Sequence, residues 1–311
     1  MIDFSNVKQW NIGNNEVIKA ELNNVVVWEK PSVVDYTIPL YIENITDEVE
    51  TVTIKRKTPS QSASTPIIDV YKSEDMVNWG LLGSTSNALS ISLNPGDRVY
   101  LRALATTWAT GSEECHIISG MSKVGGNIMS LLYGANFTGN ERSFPTGSTF
   151  TFNRLFEYNV PGSYIKGLRD ASELLLPATT MTWACYSSLF YQNSRLTYMP
   201  ATLPATILAG YCYDHMFGRC CQLTDYSLTV KAPILSVATL VEGCYGGMFN
   251  GCTYLNHVEC LVTDISASNC VYGWLSNVAA SGTFVKHPNM TSWPSGASGI
   301  PSGWTVEDAN I

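Results

Sequence analysis

Residues 212–217 read CYDHMF, and this six-residue pattern decides the fold because it recurs along the C-terminal half of the chain. CYSSLF at 185–190 and CYGGMF at 244–249 align with it without gaps, and CVYGWL at 270–275 is a weaker copy. Starting from Phe156 in an earlier, degenerate copy, the intervals between aligned positions are 34, 27, 32 and 26 residues. Self-similarity at such a period is typical of repeat architectures.

The flanks of the pattern also repeat. A leucine follows the phenylalanine by six residues in three copies, and a segment similar to LPAT precedes the cysteine. We expect a short strand after the leucine and a turn of α- or 3₁₀-helix over the pattern itself, with the cysteine, methionine and phenylalanine on one face. Stacked copies would bury that face, which one copy alone could not. The sequence therefore predicts a leucine-rich-type solenoid of four or five coils over residues 151–311, ending in a C-terminal cap.

Most of the nine cysteines fall into repeat columns, which favours buried free thiols over metal ligands or disulfides. One column contains Cys185, Cys212, Cys244 and Cys270, and a second contains Cys220 and Cys252. No CxxC pair has zinc spacing, and none of the four histidines recurs at a repeat position. GxSxG, P-loop and HExxH motifs are also missing from the sequence. We expect no metal site, no cofactor and no catalytic residue.

Two β-rich regions precede the repeats, so we expect a multidomain, β-rich chain. In residues 1–30, apolar runs on both sides of Asn23-Asn24 predict a β-hairpin that packs either against the next domain or against a partner. We interpret it as a docking segment with the contact residues Trp10, Val25, Val27 and Trp28.

Residues 35–150 carry short runs of β-branched and aromatic residues, separated by turn signals such as NPGD at 94–97. They predict a β-sandwich of immunoglobulin-like size. The polar stretch 60–66 is expected to be a loop, and residues 111–150 to hold further strands or a capping element.

Charge and hydropathy exclude some classes of partner. The net charge is −8, whereas a nucleic-acid partner would require a basic stripe. Apolar runs are far below the roughly 20 residues that span a bilayer, so we expect no membrane segment. Residues 171–311 contain four Lys or Arg and eight Asp or Glu, which indicates either a contact surface or many buried positions.

Tyrosines recur in and around the repeats. Tyr186, Tyr213 and Tyr245 form a column that we interpret as core, with each hydroxyl at the rim, although exposed rings at this spacing could also contact a ligand. Scattered tyrosines are candidates for surface contacts with a glycan or a protein. These candidates are Tyr191, Tyr198, Tyr211, Tyr226 and Tyr254.

The combined pattern LPAT…CYxxMFxxCxxL resembles the BspA-like leucine-rich repeats of Bacteroides-type bacteria and of their crAss-like phages. The resemblance includes residues 71–79, 94–102 and 126–132 before the repeats and 281–286 and 299–306 after them. It covers roughly residues 35–311. It implies a binding role outside the cell or on a virion surface, without catalytic residues and without a defined ligand.

These observations favour a non-enzymatic phage virion protein, either a fibre or a decoration of the capsid or neck. The start of the chain does not resemble a secretory signal, and the N-terminal hairpin would bind other virion proteins of the capsid, neck or tail. The repeats would face a host or mucosal surface from a homo-oligomer, a dimer or trimer. The alternative is a bacterial cell-surface adhesin with leucine-rich repeats; a third class is a glycan-cleaving enzyme.

Overall fold

The computed structural model is β-rich, with several sheets and few helices. It describes residues 9–13, 16–22, 25–29, 34–56, 67–110, 113–120, 122–158, 167–222, 230–237 and 239–311. These divide into two compact units, Met1–Asp35 and Tyr36–Ile311. The described helices are one α-helical turn, α1 (Ser130–Tyr133), and one 3₁₀ turn, Gly134–Asn136.

The N-terminal unit contains a three-stranded antiparallel sheet in the order β1-β2-β3. Its strands are β1 (Gln9–Gly13), β2 (Glu16–Leu22) and β3 (Val25–Glu29). Leu22 pairs with Val25, so β2 and β3 are the two strands predicted on either side of residues 23–24. Strand β1 is an addition to the predicted hairpin, because only Trp10 and Ile12 mark its alternation in the sequence.

Two sheets in the second unit share one core. A four-stranded sheet has the order β10-β11-β5-β8, and a six-stranded sheet has the order β13-β12-β4-β9-β6-β7. Val52 and Ile54 of the first sheet and Val99 and Leu101 of the second belong to the same buried cluster. The strands are β4 (Tyr41–Asn44), β5 (Glu50–Arg56), β6 (Asp69–Ser73), β7 (Gly80–Ser84), β8 (Leu89–Leu93), β9 (Arg98–Ala103), β10 (Ala109–Thr110), β11 (Glu113–Ile118), β12 (Ser122–Asn127) and β13 (Asp170–Leu175).

The runs predicted as strands between residues 36 and 104 are YTIPLYIEN (36–44), TVTIKRK (51–57), IIDVYKS (67–73), ALSISL (88–93) and RVYLRAL (98–104), and they correspond to β4, β5, β6, β8 and β9. Strand β7 has the sequence GLLGS, which lacks the β-branched residues that mark a strand, and it was not predicted. The predicted turn at 94–97 is confirmed, since the Asp97 amide donates to the Asn94 carbonyl at 3.0 Å. The predicted loop at 60–66 lies outside the described residues.

The six-stranded sheet continues across residue 150. Strand β12 pairs antiparallel with β4 on one side and parallel with β13 on the other. The segment around Leu155 is hydrogen-bonded to the four-stranded sheet, since the Ile117 amide of β11 donates to the Leu155 carbonyl at 2.7 Å. The predicted division into domains at about residue 150 remains a prediction.

The six-residue patterns lie in five turn segments, which we define as residues 150–158, 183–192, 210–219, 242–251 and 268–277. In each segment a left-handed residue recurs every fourth position, as at Ala184, Ser188 and Gln192, whose φ angles are 51°, 54° and 65°. The prediction of a helical or 3₁₀ turn is therefore wrong. A helix needs uniformly right-handed residues, whereas here two core residues and two outward residues alternate with a period of four.

Neighbouring turn segments are joined by a ladder of backbone hydrogen bonds. The amides of Tyr186, Ser188 and Phe190 donate to the carbonyls one residue before the aligned positions in the next segment, over 2.7–3.0 Å. Each of the four steps between segments has five such bonds of 2.7–3.1 Å. The register of the structure is thus the register of the sequence alignment, from residue 150 to residue 277.

A parallel sheet forms along another side of the repeats, in the order β14-β15-β16-β17. Its strands are β14 (Val230–Lys231), β15 (Leu255–Cys260), β16 (Gly282–Lys286) and β17 (Trp304–Asp308). Strand β15 begins at the leucine of the third aligned copy, as predicted. After Leu196 of the first copy only an isolated bridge is present, between Tyr198 and Asp170.

Aromatic rings stack in columns inside the repeats. Phe190, Phe217 and Phe249 form one column, with ring centroids 5.3 and 5.6 Å apart and planes within 8° of parallel. Tyr186 and Tyr213 stack in a second column at 6.0 Å. Their hydroxyls are buried and have no hydrogen-bond partner among the described residues, so the prediction that these hydroxyls lie at the rim is wrong. The rings of Tyr186 and Tyr213 and their hydroxyl groups therefore lie together inside the core.

Replacing Phe217 with alanine should lower the free energy of unfolding by about 3–5 kcal/mol, because the ring is fully buried between two others and leaves a cavity. Chemical denaturation followed by circular dichroism measures the change. Tyr272→Ala is the matched control. Tyr272 lies in the last turn segment and is 71% exposed, so its replacement should change stability by less than about 0.5 kcal/mol. Equal effects of the two substitutions would contradict the stacked core.

Candidate binding surface

The outward side of the turn segments carries four rings, each lying on a glycine of the following segment. Three atoms of the Trp183 benzo ring lie 2.4–3.1 Å from the position of a Cβ on Gly210, and three atoms of the Tyr211 ring lie 2.5–2.9 Å from the position of a Cβ on Gly243. The ring atoms nearest to each glycine are neighbours within one ring, so each ring packs closely against the glycine backbone. The glycines allow this close approach because they have no Cβ.

Two further rings contact glycines of the next segment. Three atoms of the His215 ring lie 2.4–2.7 Å from the position of a Cβ on Gly247, whereas Tyr191 approaches Gly218 with two edge atoms, Cδ2 and Cε2. We call Trp183, Tyr191, Tyr211 and His215 the aromatic row. All four side chains come from the second and third turn segments and lean towards the C-terminal end of the stack.

The rings of the aromatic row contact one another in pairs. Trp183 and Tyr211 have centroids 5.1 Å apart with an interplanar angle of 55°, and Tyr191 and His215 meet edge to face at 6.2 Å. Trp183 is 43% exposed, and Tyr191, Tyr211 and His215 are half-buried. Each pair therefore forms a small apolar platform at the surface.

Two carboxylates lie beside these platforms. The Tyr211 hydroxyl donates to Glu242 Oε1 at 3.4 Å, and Asp214 Oδ1 is 3.0 Å from His215 Nδ1. The charge of Glu242 raises the pKa of Tyr211, with smaller contributions from desolvation, from the hydrogen bond to Glu242 and from the charge of Asp214. The electrostatic environment of the Tyr211 hydroxyl is therefore negative.

The structure places the five candidate tyrosines differently. Tyr191 and Tyr211 belong to the aromatic row. Tyr198 is 47% exposed but lies at the parallel bridge to Asp170, outside the turn segments. Tyr254 is partly buried against the core, and Tyr226 lies outside the described residues.

Trp183 and His215 were not among the candidates. Neither recurs at its repeat position, so a search for columns of identical residues misses them. The signal that could have found them is the glycine at the aligned or adjacent position one repeat later, Gly210 for Trp183 and Gly247 for His215.

The candidate docking residues Trp10, Val25, Val27 and Trp28 lie in β1 and β3. The strand register aligns Trp10 with Ala20 and Ala20 with Trp28, so the two tryptophans occupy matching positions on either side of the central strand. Their role in docking remains a prediction.

The cysteines contribute to the core. All nine are free and buried. The Cys220 thiol lies 3.0 Å from the Phe190 carbonyl of the preceding repeat, and the Cys252 thiol lies 3.0 Å from the Phe217 carbonyl. Asn193 occupies the same repeat position one repeat earlier, and its side chain donates to the Phe156 carbonyl at 2.6 Å. Within the described residues, no group of three or more His, Cys, Asp or Glu could hold a metal ion.

Comparison with protein-family models, with curated proteins and with solved structures gives no match to this chain. Among the described residues, no helix has the length and apolar character needed to cross a membrane.

The buried thiols should make the fold sensitive to alkali. Burial raises the pKa of Cys185, Cys244 and Cys260 from 9.0 to about 12. Because the folded pKa is the higher one, this stabilisation is complete below pH 9 and is lost progressively as the pH rises from 9 towards 12. Each such thiol should lower the free energy of unfolding by about 1.4 kcal/mol per pH unit in that window. Urea unfolding at pH 8 and pH 10.5 measures the loss.

Cys260→Ala provides the control. This variant should be less stable at pH 8 but should lose less stability than the unsubstituted chain between pH 8 and pH 10.5. Rapid reaction of the native chain with a thiol reagent at pH 8 would contradict the buried position of the cysteines.

Proposed function

We propose that this chain is a non-enzymatic adhesion protein of a phage virion. Its N-terminal unit would bind other virion proteins, and its repeats would face outward to contact a host or mucosal surface. The observation that carries the proposal is the in-register ladder of the five turn segments, which holds outward side chains in fixed rows. A rigid stack that displays variable side chains from an invariant core suits recognition.

The proposal assigns the repeats to a leucine-rich-repeat solenoid. Parallel strands β14–β17 and the inter-repeat ladder support this, since such solenoids stack one strand per coil. A further support is the column of Asn193, Cys220 and Cys252. Each of these side chains donates a hydrogen bond to a backbone carbonyl of the preceding repeat. Leucine-rich repeats have asparagine or cysteine at one position of their consensus.

The two sheets before the repeats are proposed to form a sandwich of immunoglobulin-like size that covers the N-terminal end of the stack. Their shared buried cluster supports this interpretation. The parallel pairing of β12 with β13 would start the first coil from the edge of the sandwich. Such a base protects the apolar end of a stack, which a repeat protein needs for solubility.

Attachment through the N-terminus is supported by the division of the chain. Met1–Asp35 forms its own compact unit with its own three-stranded sheet. A sheet of this size has little core of its own, so contact with a partner would stabilise it. Residues 36–311 contain the remaining sheets and the repeats and would project from the particle.

Deletion of residues 1–30 should abolish incorporation of the chain into virus particles while residues 36–311 keep their fold, because Tyr36–Ile311 is a compact unit by itself. Quantitative immunoblotting of purified particles measures incorporation, and thermal melting of the purified variant checks the fold. A full-length Tyr272→Ala chain is the control and should incorporate normally. Unchanged incorporation of the deletion variant would contradict docking. Recovery of the full-length chain from bacterial envelopes rather than particles would favour a cell-surface adhesin.

A further inference from the structure

The aromatic row has the two chemical features that recognise a sugar. Trp183 is 43% exposed and Tyr211 is half-buried, and ring atoms of each lie close over a glycine of the next segment, Gly210 and Gly243. Beside these rings, the carboxylates of Glu242 and Asp214 can accept hydrogen bonds. A pyranose offers the complementary pattern, since its C–H groups form an apolar face and its hydroxyls surround the edge.

We propose that the aromatic row binds a neutral glycan, with sugar rings stacked on Trp183 and Tyr211 and sugar hydroxyls donating to Glu242 and Asp214. This inference rests on the proposed adhesion function and names the ligand class of that function. The paired rings provide a stacking surface that is rigid because its lower face is packed against Gly210 and Gly243.

The charges beside the rings select a neutral sugar over an anionic one. The Glu242 and Asp214 carboxylates create a negative field at the Tyr211 hydroxyl. A sialylated or sulfated glycan would bring its own negative charge next to these acids, and like charges at close range disfavour binding. Arg219 ends the same turn segment with its Cγ beside Gly251, and it is not among the groups that shift the pKa of Tyr211.

The shape of the row favours a glycan over an apolar protein segment. Hot spots of protein interfaces are usually side chains that insert into well-packed pockets. Here Gly210 lies beneath Trp183 and Gly247 beneath His215, so these rings pack on main chain. Partly exposed rings with carboxylate acceptors beside them suit stacking and hydroxyl contacts.

The glycine beneath Trp183 gives a test of geometry that leaves every ring in place. A Cβ on Gly210 would clash with the indole ring and force it to tilt. Gly210 does not have a left-handed φ, so Gly210→Ala introduces no backbone strain. Gly80→Ala is the matched control, because a Cβ there would meet no atom within 4 Å.

The experiment uses the purified full-length chain on an array of neutral, sialylated and sulfated oligosaccharides, followed by titration calorimetry with the best neutral oligosaccharide. We expect binding to neutral glycans. Trp183→Ala should raise the Kd about tenfold or more, and Gly210→Ala should raise it several-fold. Gly80→Ala and Tyr272→Ala should keep the Kd within about twofold, and thermal melting verifies that each variant is folded.

Three results would overturn the proposal: binding confined to sialylated or sulfated glycans, an unchanged Kd in both Trp183→Ala and Gly210→Ala, or no glycan binding by the folded chain. Particle adhesion separates this proposal from the adhesion function. If particles carrying Trp183→Ala adhere to host cells as well as unsubstituted particles do, the glycan site is wrong and adhesion stands. If unsubstituted particles do not adhere, the adhesion function itself is wrong.

Discussion

The backbone amides of the turn segments alternate between two acceptors, and the repeats depend on this alternation. The Tyr186 amide donates to the next repeat at Cys212, whereas the Leu189 amide donates within its own segment to Tyr186. Every second amide is therefore satisfied only when another repeat is present. Since an unpaired buried amide is costly, the segments are stable as a stack and not singly. The same bonds fix the register that aligns the rings and the thiols in columns.

The six-residue pattern predicted which positions are equivalent and which are buried, because core residues repeat when each coil packs on the next. Conformation was harder to predict from the same residues. Apolar pairs such as Cys185 and Leu189 are four apart, which also fits one face of a helix. The four-residue period requires left-handed residues, and the segment from 242 to 251 has glycines at all three such positions. The other segments have non-glycine residues such as Ala184 at left-handed positions, so their sequences do not indicate the left-handed conformation.

The candidate binding surface was predicted only in part, because its residues come from different repeats. Tyr191 and Tyr211 stand out as surface tyrosines in the sequence, but Trp183 becomes a partner of Tyr211 only through the register of the ladder. Covering a glycine in the next repeat is a relation between residues 27 and 32 positions apart, and one sequence does not reveal it without the alignment. The candidate docking residues Trp10 and Trp28 are both aligned with Ala20, a relation that the hairpin prediction without β1 could not include.

Ring-to-ring contacts in solution test the stacked register most directly. Nuclear Overhauser spectra of the chain with selectively labelled phenylalanine should connect Phe217 to both Phe190 and Phe249, whose centroids lie 5.3 and 5.6 Å away. Because Phe217 separates them, Phe190 and Phe249 should show no direct contact with each other. Absence of the two predicted contacts, or a direct contact between Phe190 and Phe249, would contradict the stack of repeats on which the fold and the aromatic row depend.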